Sequence, residues 1–178
     1  MKGIVFTEFI EMVESEFSFK MADDIIIKSN LKSEGVYTSI GIYDHKEIFA
    51  LVEQLSIATG ISKVELFRVY GEHLFARFKS YYPSLFGKIT DSLSFLELVD
   101  SYIHKEVLKL YPNAQLPSFV TERHSENEIT MIYSSKREMS DFAHGLILGC
   151  FKNFNEDVDM QVEKINESKV IFKIKRLK

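Results

Sequence analysis

Of the five histidines in this 178-residue chain, His104 sits in the setting best suited to holding a metal. Leu93, Leu96, Val107, Leu108 and Tyr111 surround it at helical spacing, so the face that carries it is largely apolar. A neutral imidazole on such a face can bind haem iron through one ring nitrogen. Asp100 and Ser101 precede it by one turn, where either could hydrogen-bond the ring. A plain polar interruption of the face fits the same spacing, and the pattern alone does not separate the two readings. The other histidines stand in plainer places. His45 begins a helix, and His124 is expected in a charged loop, Glu122-Arg123-His124-Ser125-Glu126. His73 and His144 lie on helices, where histidine is more often a satisfied or exposed side chain than a ligand.

The second chemical pattern is Tyr133-x-Ser135-x-Arg137. On a strand these side chains point to one face. Arginine offers a planar fork of donors that pairs with a carboxylate, and the two hydroxyls add further donors. Three such groups could hold two adjacent carboxylates. The pattern is short and common, however, and by spacing alone an ordinary strand with a polar outer face fits it better. No nucleophile–base constellation accompanies it. No helix carries histidines at i and i+4, and no glycine-rich phosphate loop follows a strand.

These residues must be positioned by two kinds of element. Ile4, Val5, Phe9, Ile10, Met12, Val13 and Phe17 repeat at helical spacing, and a short helix follows over Met21 to Lys28. Val36 to Tyr43 reads as a strand or an extended loop. Asp44 and Gly60 mark the start and stop of a third helix. Ser62-x-x-Glu65 is a capping box, with Ile61 and Leu66 as its hydrophobic staple. That helix runs through Phe67, Tyr70, Leu74, Phe75 and Phe78. After Pro83 the next helix is expected from Ser92 or Ser94 to about Leu110, ended by Pro112, Asn113 and Pro117. Beyond it, Ile129, Met131 and Tyr133 alternate as a half-buried strand does. A helix over Phe142 to Phe154 holds Gly145 and Gly149, a spacing that admits something flat or another backbone. Two further strands, through Val158–Val162 and Val170–Ile174, join by a hairpin at Asn166-Glu167-Ser168. The expected fold is α+β, a helical N-terminal lobe followed by an antiparallel sheet with a packed helix.

Composition narrows the function. Fifteen Phe and eight Tyr without any Trp build a Phe-rich core, and some of them could line a flat apolar cavity. A net charge of −4 argues against a nucleic-acid partner. The single Cys150 cannot build a disulfide framework or a cysteine-rich metal cluster, which fits a reducing compartment. No apolar run has the length of a membrane span, and Glu8, Glu11 and Glu14 do not suit a signal peptide, so a cytoplasmic protein away from the membrane is expected.

Taken together, Met1-Lys2-Gly3-Ile4-Val5 with Phe9, Tyr102-Ile103-His104-Lys105-Glu106-Val107, Lys109 to Pro117 and Tyr133-Ser134-Ser135-Lys136-Arg137 resemble the H-NOX (haem-nitric oxide/oxygen binding) family. The likeness runs in order over essentially the whole chain. It implies one domain over 1–178, with a distal helical lobe (1–60) and a proximal, sheet-containing lobe (61–178) enclosing haem b. It also implies His104 as the iron ligand and Tyr133, Ser135 and Arg137 as the propionate-binding triad. Pro117, thirteen residues after His104, matches a proline that presses on the haem. Val5, Phe9, Leu74, Phe78, Phe142 and Leu146 match positions of the pocket wall.

Oxygen-binding members of that family carry Tyr at the position of Phe142. Without a hydroxyl there, the resemblance implies a sensor that binds nitric oxide and CO and discriminates against O2. In the family, nitric oxide breaks the iron–histidine bond, and stand-alone bacterial members act on a separate histidine kinase or diguanylate cyclase. Two other readings compete: a haem enzyme of peroxidase or oxygenase type, which needs a distal acid/base group, and a haem storage or delivery protein.

Overall fold

Ser18 opens α2 because its hydroxyl accepts a hydrogen bond from the Met21 amide, and Ser62 opens α4 by accepting one from Glu65. Each cap satisfies a donor that the first helical turn leaves free. The computed structural model describes residues 1–87 and 89–177. Helices α1 (Ile4–Glu16), α2 (Phe19–Lys28), α3 (Lys46–Thr59) and α4 (Lys63–Tyr81) come first. Glu65 does not reach back to complete the expected capping box. Gly60 ends α3 at φ +74°, in the left-handed region that glycine enters at little cost. Val36–Tyr43 is a loop whose one ladder contact is a bridge from Ile42 to Lys2.

The stretch expected as one helix to Leu110 is interrupted. Helix α5 (Ser92–Glu97) begins at Ser92 as expected, capped by Asp91, which accepts from the Ser94 amide. A single π-helical segment, Val99–Ile103, follows, and α6 (His104–Leu110) resumes from it. Within the segment the Ile103 amide bonds the Leu98 carbonyl five residues back, and the His104 amide does the same to Val99. Such wide turns inside α-helices recur at functional sites.

Strands β1 (Ser118–Arg123), β2 (Glu128–Ser134), β3 (Val158–Asn166) and β4 (Lys169–Arg176) form an antiparallel sheet in the order β1-β2-β4-β3. Strand β1 is an edge strand that the sequence pattern did not mark. It takes in Glu122 and Arg123 from the stretch expected as a loop. The register pairs Tyr133 with Phe119 on one side and Val170 on the other. Ile129, Met131 and Tyr133 of β2 face inward with Val170, Phe172 and Ile174 of β4. Helix α7 (Ser140–Phe154) covers that face.

Two apolar cores result. One gathers α1, α2, α3 and the first part of α4, including Phe6, Phe9, Leu51 and Tyr70. The other gathers α5, α7 and the inner face of the sheet, with Phe75 from α4. Helix α4 therefore serves both, and its contact with α7 is unusually close. A Cβ on Gly145 would meet the Arg68 carbonyl oxygen at 2.0 Å, and one on Gly71 would meet the Phe142 carbonyl oxygen at 2.4 Å. The glycines thus admit another backbone. Gly145→Ala should cost about 2 kcal/mol, the scale of overpacking a rigid contact. Gly60→Ala, whose Cβ meets nothing, should cost about 1 kcal/mol from its left-handed backbone alone. Urea unfolding of the two variants checks the order, and equal losses would mean that the α4–α7 contact relaxes freely.

Candidate functional site

Helix α4 leaves the first core at Leu74 and enters the second at Phe75, and the space between the cores is a cavity of about 230 Å³. Its walls are overwhelmingly apolar. Val5 comes from α1, Leu74 and Phe78 from α4, and Phe142 and Leu146 from α7. Leu96, Val99, Ile103, His104 and Val107 come from the α5–α6 rod, and Leu116 and Pro117 from the segment after it. Tyr133, Ser135 and Arg137 bring polar groups to the same space. The expected wall residues therefore converge, with one exception. Phe9 is fully buried in the first core, edge-on to Tyr70 with ring centroids 5.2 Å apart, and is not part of the lining. The family likeness matched it to the pocket wall, but from α1 it is Ile4 and Val5 that line the cavity, while Phe9 stays within the core.

His104 begins α6, and its side chain is 18% exposed. Its Nδ1 lies 3.4 Å from Asp100 Oδ1, an ion-pair distance rather than a full hydrogen bond. Asp100 Oδ1 in turn accepts from the Phe119 amide at 3.2 Å. Of the two candidate partners, then, Asp100 faces the ring and Ser101 stays exposed. A carboxylate behind one ring nitrogen fixes an imidazole's orientation and leaves the other nitrogen for a ligand. The Phe119 ring, 5.9 Å away, packs beside it. Burial lowers the His104 pKa and Asp100 opposes that shift, so the neutral form, the one that ligates, is favoured.

The triad is arranged differently from the expected strand face. Strand β2 ends at Ser134, so only Tyr133 lies on it, while Ser135 and Arg137 occupy the turn into α7. The turn brings them together locally, because Ser135 Oγ accepts from the Arg137 amide at 3.2 Å. The Tyr133 hydroxyl is 3.1 Å from the Met139 amide, which donates to it. Burial raises the Tyr133 pKa, so the phenol keeps its proton to donate. Arg137 reaches across to Gln115.

Three features carried no sequence signal. The fully buried Tyr70 hydroxyl donates to the Val5 carbonyl. The hydroxyls of Tyr82 and Tyr111, both at the cavity, lie 2.6 Å apart and join the ends of α4 and α6. The Phe119 amide holds Asp100 from a strand that the pattern did not reveal.

The residues present suit a haem. The walls are apolar, one neutral imidazole enters them with its back held by a carboxylate, and a guanidinium and two hydroxyls bring to the same space the donors that an anionic edge needs. His73 and His144 do not contribute. The first lies 3.7 Å from Glu8, the second packs edge-on to Phe172, and neither lines the cavity. Burial lowers both pKa values, and each ring has a buried nitrogen without a hydrogen-bond partner. A histidine whose folded pKa is depressed contributes no loss above its unfolded pKa and destabilises as pH falls below it. Stability should therefore drop as pH falls from the ordinary 6.5 through the lowered values. His144→Gln should flatten that drop in denaturant titrations run across the same range, and an unchanged slope would remove His144 from the account.

Comparison with known proteins gives the arrangement a context. The family model described as Haem-NO-binding matches residues 2–162. The crystal structure of the Fe(II) unliganded H-NOX protein from K. algicida shares 42% identity and a TM-score of 0.94, with 100% of this chain and 97% of that one covered. The solution structure of H-NOX from Shewanella woodyi, bound to IWP-051 in the Fe(II)CO state, shares 40% identity and a TM-score of 0.85 over 99% and 95%. The Fe(II)NO structure of an H-NOX protein from S. oneidensis has a TM-score of 0.92 over the full length of both chains, but its 24% identity shows the fold alone. No curated protein matches the chain. With the family model spanning nearly its whole length, and with solved H-NOX structures of 40% identity or more over almost all of it, the chain belongs to the H-NOX family of haem-based gas-sensor domains.

Proposed function

We propose that this domain senses nitric oxide, also binds CO, discriminates against O2, and signals to a separate protein by releasing His104. The observation that carries the reading is the pairing of one neutral imidazole with a donor-free stretch of wall supplied by α1, α4 and α7. Val5, Leu74, Phe78, Phe142 and Leu146 offer none. The Tyr70 hydroxyl behind Phe142 is committed to the Val5 carbonyl, although the two rings are only 5.0 Å apart. A haem b, held here by His104, would supply the ferrous iron that takes up a diatomic gas. Oxygen relies on a donor for its partial negative charge far more than NO or CO does, so a donor-poor wall selects against it.

The chain's own residues supply the rest. His104 ligates through the ring nitrogen turned away from Asp100. Tyr133, Ser135 and Arg137 would hold the carboxylate edge of the macrocycle, and Pro117 would form part of the wall against it. Helix α6 contributes no buried residue, so little apolar packing resists its movement once the imidazole lets go. Movement of the rod against the sheet, and of the 1–60 lobe against the 61–178 lobe, is the two-state element that a signal requires. A histidine kinase or diguanylate cyclase is the proposed partner class, and the cytoplasm the proposed location. Among the described residues no helix is long and apolar enough to cross a membrane. The same wall weighs against a peroxidase or oxygenase, since it presents no acid/base group, and the three-donor clamp weighs against ready delivery of haem.

Absorption spectra of the reduced protein under argon, NO and air test this reading. NO should change the spectrum, and air should leave it as under argon. A new spectrum in air that reverts when the air is replaced by argon would overturn the selectivity, and no Soret band after haem reconstitution would overturn the haem reading. Phe142→Tyr, which adds one hydroxyl to the wall, should produce an air-stable change that the native protein lacks.

A further inference from the structure

Five arginines occur in the chain, and four of them face a carboxylate: Arg68 with Asp141, Arg77 with Glu8, Arg123 with Glu97, and Arg176 with Asp91 and Glu156. Arg137 has no carboxylate in ion-pair contact among the described residues. Its fork meets an amide instead. Nη1 donates to the Gln115 main-chain carbonyl at 2.8 Å, and Nη2 donates to Gln115 Oε1 at 3.0 Å. Both residues line the cavity. Burial acts against the Arg137 charge, as its lowered pKa shows.

A partly buried cation held only by neutral acceptors is aimed but not neutralised. Two of the five guanidinium donors are spent on Gln115, which fixes the plane of the fork, and three remain. A carboxylate at position 115 would hold the fork in the same place while cancelling its charge. We infer that Gln115 is a positioning residue for the anionic edge of the cofactor, orienting Arg137 across the cavity while leaving its charge for a carboxylate ligand. The inference rests on the haem reading above and adds a residue outside the Tyr133–Ser135–Arg137 set. It also explains why the chain places an amide two residues before Pro117. The Arg137 grip fixes the segment that carries Pro117 without consuming the charge that the cofactor needs.

The test separates this role from a structural tie. Wild type, Gln115→Glu and Gln115→Ala are reconstituted with haem, and the rate of haem loss to excess apomyoglobin is measured. The same is done with haem dimethyl ester, which lacks carboxylates, and thermal unfolding of each cofactor-free protein reports on the fold. Gln115→Glu should release haem about tenfold faster than wild type, a change equivalent to one decade of affinity. Gln115→Ala, which keeps the main-chain contact, should show a smaller increase. With the dimethyl ester the three proteins should converge, and cofactor-free Gln115→Glu should unfold no earlier than wild type. Haem loss from Gln115→Glu at or below the wild-type rate would overturn the inference, and so would an acceleration that persists with the ester. Wild type that takes up no haem would overturn the haem reading itself, and the inference with it.

Discussion

The close contact of α4 with α7 is the constraint from which the rest of the molecule follows. Two helices with ordinary side chains at their crossing stay 8–10 Å apart. Here Gly71, Gly145 and Gly149 remove the side chains that would keep backbone from backbone. That single approach binds the helical core to the sheet core, because α4 carries residues of both and α7 covers the sheet. It also sets the cavity wall. Leu74 and Phe78 on one helix and Phe142 and Leu146 on the other face the same space because their backbones cannot drift apart. A buried acid reinforces the arrangement from the other side. Glu8 of α1 is 1% exposed, yet it accepts hydrogen bonds from Arg77 at 2.7 Å and Tyr81 at 2.8 Å, tying α1 to the far end of α4. A buried charge is tolerable only when paired in this way.

The helical half was legible because most of its signals are local. Ser62 caps, Gly60 stops, and apolar residues recur every three or four positions, whereas the Ser18 cap went unread and the second helix was expected two residues late. The sheet was legible where burial alternates, as at Ile129, Met131 and Tyr133. Strand β1 escaped because it lies at an edge and only Phe119 and Thr121 are even half-covered, so alternation has little to act on. The break at Leu98 escaped for a different reason: a π-helical turn keeps the composition of a helix and alters only its hydrogen-bond register, to which apolar spacing is nearly blind.

The site was half legible. His104 stood out by its apolar neighbours, and the wall residues by a whole-chain likeness that carries three-dimensional information. Three-dimensional partners were hidden. Asp100 and Ser101 could not be ranked until the Phe119 amide, from an unmarked strand, was seen to hold Asp100. Tyr133, Ser135 and Arg137 converge through a turn rather than a strand face, so the alternation argument named the right residues for a geometry they do not adopt. Phe9, matched to the wall by the likeness alone, lies within the first core, edge-on to Tyr70.

The wide turn over Val99–Ile103 has a bearing on how this helix tolerates change in length. A π-helical turn amounts to one residue more than an α-helical turn needs, and His104 stands immediately after it. Removing any one residue from the segment would let the helix close into continuous α-geometry, shorter by one residue and still apolar in composition. Everything after the closure would keep its direction relative to α5, because the wide turn already takes up the extra residue. His104 would still face the cavity, provided that the residue removed is not Asp100. The segment thus works as a length buffer, and a one-residue gap there should be milder for the site than loss of His104 or Asp100 themselves.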